Sequence, residues 1–220
     1  MPARDPRSSA RVRAYFDAHA GDYDRQFTDV ERRLLGEHRR WATSRARGTT
    51  LELAVGTGLN LPLYPDAVHR IVGIDLSEGM LDRARTRLRT LGLVDRVELR
   101  VGDVQHLDLP DASVDSVLAT YALCTVADPA AAVREAWRVL VPGGRLLLVE
   151  HGLGDRGWMR AVQRLLNPLS LRWQADDLLG RPLEVVRAAG FDVVDADQTG
   201  TAGIVHRVHA RKPAVPTREG

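Results

Sequence analysis

Leu51-Glu52-Leu53-Ala54-Val55-Gly56-Thr57-Gly58-Leu59-Asn60 passes from an apolar run to paired glycines, and the reading of this stretch decides the fold. Thr49, Thr50, Leu51, Leu53 and Val55 suit a strand covered on both faces. Gly56 and Gly58 remove side chains where the backbone must turn sharply and lie close to something bound. A small polar cofactor is the natural occupant of such a turn. A structural turn is the other reading of so short a motif, and the dinucleotide fingerprint wants a further glycine where this chain has Leu61. Glu52 sharpens the first reading. A carboxylate in an apolar strand is costly to bury unpaired, so it needs a ligand ammonium or a network of N–H donors.

Composition bounds the rest. The 220 residues, 44% of them hydrophobic, fit one α/β domain, read as a single unit over residues 10–210 between disordered tails at 1–9 and 211–220. Formal net charge is +2, Lys212 is the only lysine among 31 basic residues, and aromatics make up 5%. With no compact basic run, nucleic acid is not the expected partner. One cysteine, Cys124, excludes an intramolecular disulfide and any multi-cysteine metal site, and no metal is expected. Without an apolar leader or a long uncharged apolar run, the chain reads as soluble and cytoplasmic.

Along the chain, residues 10–46 carry a helical pattern (Val12, Tyr15, Phe16, then Val30, Leu34, Leu35, His38, Trp41) broken by a turn at Ala20–Asp24, a helical cap that could pack over a site. After the glycine turn, a short helix opens at Leu59. Strands follow at Arg70–Asp75, Arg96–Val101 and Ser113–Thr120, and a helix starts at Asp128-Pro129. Pro142-Gly143-Gly144 ends that helix and launches a strand over Arg145–Glu150. Ser77 caps a helix whose face is Met80, Leu81, Ala84, Leu88 and Leu91. Residues 155–180 form an insertion over the pocket. Its helix sets Trp158, Val162, Leu165, Leu166 and Leu169 against Arg156, Arg160 and Arg164 and stops at Pro168. It is either a packed lid or a surface touching lipid or a greasy substrate, that is, a peripheral membrane contact. Two closing strands, Phe191–Asp195 and Ile204–Ala210, turn back antiparallel.

Glu52, Asp75 and Asp103 are each tied to one of three successive strands, and ligands of open parallel sheets bind beyond the strands' carboxyl ends. That set, with the Gly56/Gly58 loop, Gly102-Asp103-Val104 and Leu140-Val141-Pro142-Gly143-Gly144 in order, resembles a class I S-adenosylmethionine-dependent methyltransferase over nearly the whole chain. The run Tyr121–Val126 with Val149-Glu150-His151 is similar to the branch holding methyltransferase-like thiol methyltransferases, bacterial phosphatidylethanolamine N-methyltransferases and quinone C-methyltransferases.

The resemblance implies a Rossmann-like, doubly wound α/β sheet of seven strands, the last antiparallel, with helices on both faces. It implies S-adenosyl-L-methionine as cofactor. Glu52 would anchor the loop and the methionine ammonium, Gly56 and Gly58 would admit the cofactor, Asp75 would take the ribose hydroxyls, and Asp103 with the Val104 amide would meet adenine. Tyr121 and Ala122 would line the methionine part, with Tyr23 closing over it. Ala54, where the family commonly has glycine, joins Asn60, Leu76 and Met80 as further cofactor-binding candidates.

The acceptor is expected to be a small or amphiphilic molecule presenting a thiol, hydroxyl or amine, with a phosphatidylethanolamine-type lipid and a non-catalytic cofactor-binding protein as the alternatives. His151 is the candidate base because an imidazole titrates near neutrality; its other reading is a histidine packed against Glu150. A buried inert thiol is the expected state of Cys124.

Overall fold

A computed structural model describes residues 8–31 and 38–214. Leu34, Leu35 and most of both expected tails lie outside the described residues. Ser9, by contrast, opens the first helix, and Arg211 closes the last strand.

Seven strands form one sheet: β1 (Gly48–Leu53), β2 (Val68–Asp75), β3 (Val97–Val101), β4 (Val114–Thr120), β5 (Leu140–His151), β6 (Asp192–Thr199) and β7 (Val205–Arg211). Their order is β3-β2-β1-β4-β5-β7-β6, with β7 antiparallel to both neighbours and the other pairings parallel. The reversal between β1 and β4 is the topological switch point, where the two halves of the sheet diverge and leave a crevice at the strands' carboxyl ends.

Strand alternation divides the core into two layers. Leu51, Leu53, Leu146 and Leu148 face helices α5 (Pro129–Val139) and α7 (Pro182–Ala188), and Ile71, Leu118, Leu147 and Val149 face α3 (Arg39–Thr43) and α4 (Glu78–Leu91). Both faces are thus covered, which is why the parallel strands read as continuous apolar runs. Both expected caps form: Ser77 Oγ accepts from Met80 N and Asp128 Oδ1 from Ala131 N, with Pro129 opening α5. Helices α1 (Ser9–His19) and α2 (Tyr23–Val30) lie over the carboxyl edge, and α6 (Gly157–Gln174) follows β5.

Several boundaries differ from expectation, β6 running to Thr199 where the strand was expected to end at Asp195. Pro142-Gly143-Gly144 does not separate helix from strand but bulges within β5, opposite the register shift between Val114 and Ser116. The bulge is held by Lys212, whose O and N pair with Gly143 N and Gly144 O. Lys212, expected in a disordered tail, also donates its Nζ to the Trp137 and Leu140 carbonyls. Helix α6 runs through Pro168 to Gln174, because Arg164 and Pro168 both lie on its exposed side and water can take the carbonyl bond that proline forfeits.

Candidate active site

Two adjoining cavities open at the carboxyl edge. The first sits at the switch point, walled by Ala54, Gly56, Asp75, Leu76, Asp103 and Tyr121 among others, and covered by Ser9, Phe16 and Tyr23 of the helical cap. Asp75 closes the turn that β1 enters: its Oδ2 accepts from Gly56 N and its Oδ1 from Ser77 N, both at 2.8 Å. Burial pushes its carboxyl up to about 6 against these two hydrogen bonds. The glycines have different tasks. At Gly58, φ is +80° and a Cβ would press on Leu61 Cδ1 at 2.6 Å, so backbone strain and packing both favour glycine. Beside Gly56 the nearest such contact is 4.0 Å away, leaving space for a ligand to approach the backbone.

Behind this wall stands a polar network. Glu52, 2% exposed, accepts from Asn60 Nδ2 (2.8 Å) and from the Tyr64 hydroxyl (2.7 Å), and burial pushes its carboxyl up to about 7. Arg39 Nη1 donates to Asn60 Oδ1 and Thr120 Oγ1, tying the cap to the ends of β1 and β4. Glu150 does the same for the turn after β4, its oxygens accepting from Ala122 N and Leu123 N.

Ala54 and Tyr121, where β1 and β4 give way to the cavity, hold positive φ (49° and 54°). A left-handed alanine costs about 1–2 kcal/mol, so Ala54→Gly should gain stability even after glycine's own penalty of about 0.5–1 kcal/mol. We expect its Tm to rise by about 1–4 °C by calorimetry. An unchanged or lower Tm would show that alanine sits there without strain.

Side chains of α1 and α2 also pin the cap to the sheet's edge. Ser9 Oγ donates to Asp103 Oδ2 (2.6 Å), Asp17 accepts from Ser77 Oγ and Gly79 N, and Asp24 pairs with Arg87 and accepts from Thr57 Oγ1. Asp103 also accepts from Gln105 through Oδ1.

The second cavity, of about 490 Å³, lies between the cap and α6. It shares Phe16, Tyr23, Tyr121 and Thr125 with the first, so the two meet across a thin aromatic wall. The Tyr121 hydroxyl is buried there with no hydrogen-bond partner among the described residues.

His151 faces this cavity, its Nε2 2.9 Å from Asp176 Oδ1, and Cys124 brings its Sγ within 4.8 Å of both. His151 is not packed against Glu150, whose side chain is spent on the turn after β4. Burial opposes a charge on His151, but the Asp176 carboxylate outweighs it and holds the imidazole above its ordinary value. Burial likewise works against the charge on Asp176, yet His151 keeps that carboxyl below its usual range. Burial and then Asp176 push the Cys124 thiol well up, so at neutral pH it stays protonated and a poor nucleophile. Thiol, imidazole and carboxylate are also the donor set of a metal site, and among the described residues these three could hold an ion.

Residues 51–148 match the family model described as a methyltransferase domain. The chain is 32% identical to a demethylmenaquinone methyltransferase of Clavibacter sepedonicus over 97% of its own length and 95% of that protein's. The chain belongs to the class I S-adenosylmethionine-dependent methyltransferases. It is also 40% identical to a phosphatidylethanolamine N-methyltransferase of Cereibacter sphaeroides over 61% of this chain and 66% of that one. The methyltransferase solved with the Haloferax volcanii Trm112 activator shares the fold, with a TM-score of 0.72 at 22% identity, covering 90% of this chain and 97% of that one.

In this methyltransferase the expected cofactor residues divide into two shells. Tyr23, Ala54, Gly56, Asp75, Leu76, Met80, Asp103, Val104 and Tyr121 all line the first cavity, and Glu52, Gly58, Asn60 and Ala122 stand behind it. Sequence reasoning missed Asp176, the support given by Tyr64 and Glu150, and the reach of Ser9 and Arg39. A carboxyl-side acid, Glu150, next to His151 was the visible signal for one of these, assigned to the wrong partner.

Proposed function

We propose that the first cavity holds S-adenosylmethionine and the second receives a small, partly apolar or amphiphilic acceptor whose proton passes to His151. The observation carrying this reading is that the His151–Asp176 pair lines the second cavity, which adjoins the first across Tyr121, whose buried hydroxyl has no partner among the described residues. The residues fit the cofactor's chemistry: open space beside the Gly56 backbone, the buried Asp75 carboxylate, the half-buried Asp103, and apolar walls from Leu76, Met80 and Val104. Bound there, S-adenosylmethionine supplies a methyl group already activated on a sulfonium. Asp75 would hold the ribose hydroxyls, and Tyr23 and Tyr121, in the cavity's wall, would shut out water.

Little covalent chemistry is then left to the protein beyond alignment, worth about 7–11 kcal/mol in favourable cases. His151 Nδ1, the ring nitrogen that does not face Asp176, takes the proton that an S–H, O–H or N–H acceptor must shed, and Asp176, at Nε2, orients the ring and stabilises the imidazolium. The acceptors named for the relatives, a demethylated menaquinone and phosphatidylethanolamine, are both amphiphiles, which favours that class within the cavity's apolar walls. Methyl transfer from labelled cofactor to a panel of quinols, lipid amines and alkyl thiols tests the reading. Tight cofactor binding with no transfer to any member would instead favour a non-catalytic binding protein.

The elevated carboxyls set a pH dependence. Their folded-state values, about 7 for Glu52 and about 6 for Asp75, exceed the ordinary carboxyl values, so their stabilisation of the ligand-free fold is full below about pH 4 and fades as pH rises through 6 to 7. Cofactor binding has the opposite sign, since the ammonium and the ribose hydroxyls prefer carboxylates. We expect S-adenosylmethionine affinity by calorimetry to rise from pH 5.5 to 7.5 and then level, by at most about tenfold per pH unit for each carboxyl. A flat profile would detach both acids from the binding step.

A further inference from the structure

Helix α6 packs inside out. The side chains it buries against the body are amides: Gln163 accepts from Gly154 N and donates to the Gly152 and Leu178 carbonyls, and Asn167 accepts from Leu178 N. The side chains it turns to solvent are its largest apolar ones, with Leu165 79%, Trp173 66% and Trp158 61% exposed and Val162, Leu166 and Leu169 between them. At 3.6 residues per turn these six fall within a stripe roughly 100° wide, the width a helix ordinarily commits to a core. The helix contains no acidic residue, and Arg160, Arg164 and Arg172, with Arg156 as its N-cap, carry its charge. Arg164 and Arg172 have no acidic partner among the described residues. No described helix is long and apolar enough to cross a membrane.

From this we infer that α6 is a docking surface for an anionic lipid bilayer, lying in the interface plane with Trp158, Leu165, Leu169 and Trp173 among the acyl chains and its arginines at the headgroups. Charge decides between occupants. Two copies of this chain meeting through α6 would oppose arginine to arginine, whereas an anionic leaflet complements them and attracts each by about fivefold in affinity. The placement also gives the second cavity an entrance: Val162 and Leu166 belong both to the exposed stripe and to the cavity wall. A lipid-borne acceptor can slide along them from the bilayer toward His151 without its apolar part meeting water, a step that rests on the proposed function above.

Flotation of the full chain with phosphatidylcholine vesicles, alone or with 30% phosphatidylglycerol, tests the surface without any acceptor or cofactor. We expect strong flotation with the anionic vesicles, loss of most of it in pure phosphatidylcholine or at high salt, and a blue shift of tryptophan emission on binding. Leu165→Glu with Leu169→Glu, both exposed and outside either cavity, should cut the bound fraction about tenfold or more while Tm and S-adenosylmethionine affinity stay unchanged. Absence of flotation with anionic vesicles overturns the proposal, as does equal binding to neutral ones. A dimer in sedimentation that the double variant dissociates, with no flotation, reassigns the face to a second copy. Failure of the methyl-transfer reading leaves flotation untouched, so the two are separable.

Discussion

His151→Ala is expected to lower kcat by about 10²–10⁴-fold for acceptors of high pKa, the range over which a positioned general base acts, and by little for acidic thiols that arrive as thiolates. Cofactor affinity should be unchanged, since His151 lines only the second cavity. Asp176 supplies a second readout that a merely structural histidine would not give. A base must be neutral to accept a proton, so kcat should rise with pH through a value above the ordinary 6.5, where Asp176 holds the imidazole. Asp176→Asn removes that carboxylate and leaves burial opposed only by the more weakly acting Glu150 and Asp177, so the acid limb should move to lower pH while the plateau falls. Cys124 and Glu150 lie close to the pair, but neither replaces the carboxylate in contact with Nε2. An equal loss across acceptors of all pKa values, with an unshifted limb in Asp176→Asn, would make the pair a structural clasp between β5 and the segment after α6.

Asp75→Ala is expected to weaken S-adenosylmethionine binding by about 1.5–3 kcal/mol, roughly 10- to 150-fold, the scale for hydrogen bonds to a charged group. The structure adds a cost to the empty protein. Gly56 N and Ser77 N both lose their acceptor, so Tm without cofactor should fall as well, and titration must be done well below it. Asp75→Asn keeps one oxygen for these amides and should lose less of both. Wild-type affinity in Asp75→Ala would remove the ribose assignment, whatever the change in Tm.

Which of this the chain announces in one dimension follows from the range of the forces involved. Strands β1 and β2, the Gly56 turn and the acids that end β2 and follow β3 are legible because each is specified within about ten residues. Apolar runs mark strands buried on both faces, glycines mark positive φ or close approach, and a carboxylate after a strand has nowhere to sit but the carboxyl edge. The caps at Ser77 and Asp128 are local for the same reason. The pairings that assemble the site span far more chain. Glu150 reaches back to Ala122, Ser9 reaches Asp103, and His151 meets an Asp176 carried in by the return of the chain after α6. No periodicity encodes such contacts, because they exist only once the sheet has set its edges.

Helix α6 shows the division most clearly. Its sequence states that one side is apolar and the other cationic and polar, and a lone amphipathic pattern is ordinarily read with the apolar side inward. Folding decided otherwise. The backbone groups of Gly152, Gly154 and Leu178 needed partners beneath the helix, and Gln163 and Asn167 supply them, so the amides went in and the tryptophans and leucines were left facing out. The amphipathicity belonged to the sequence; its direction was settled by which buried polar groups the rest of the fold left to be satisfied.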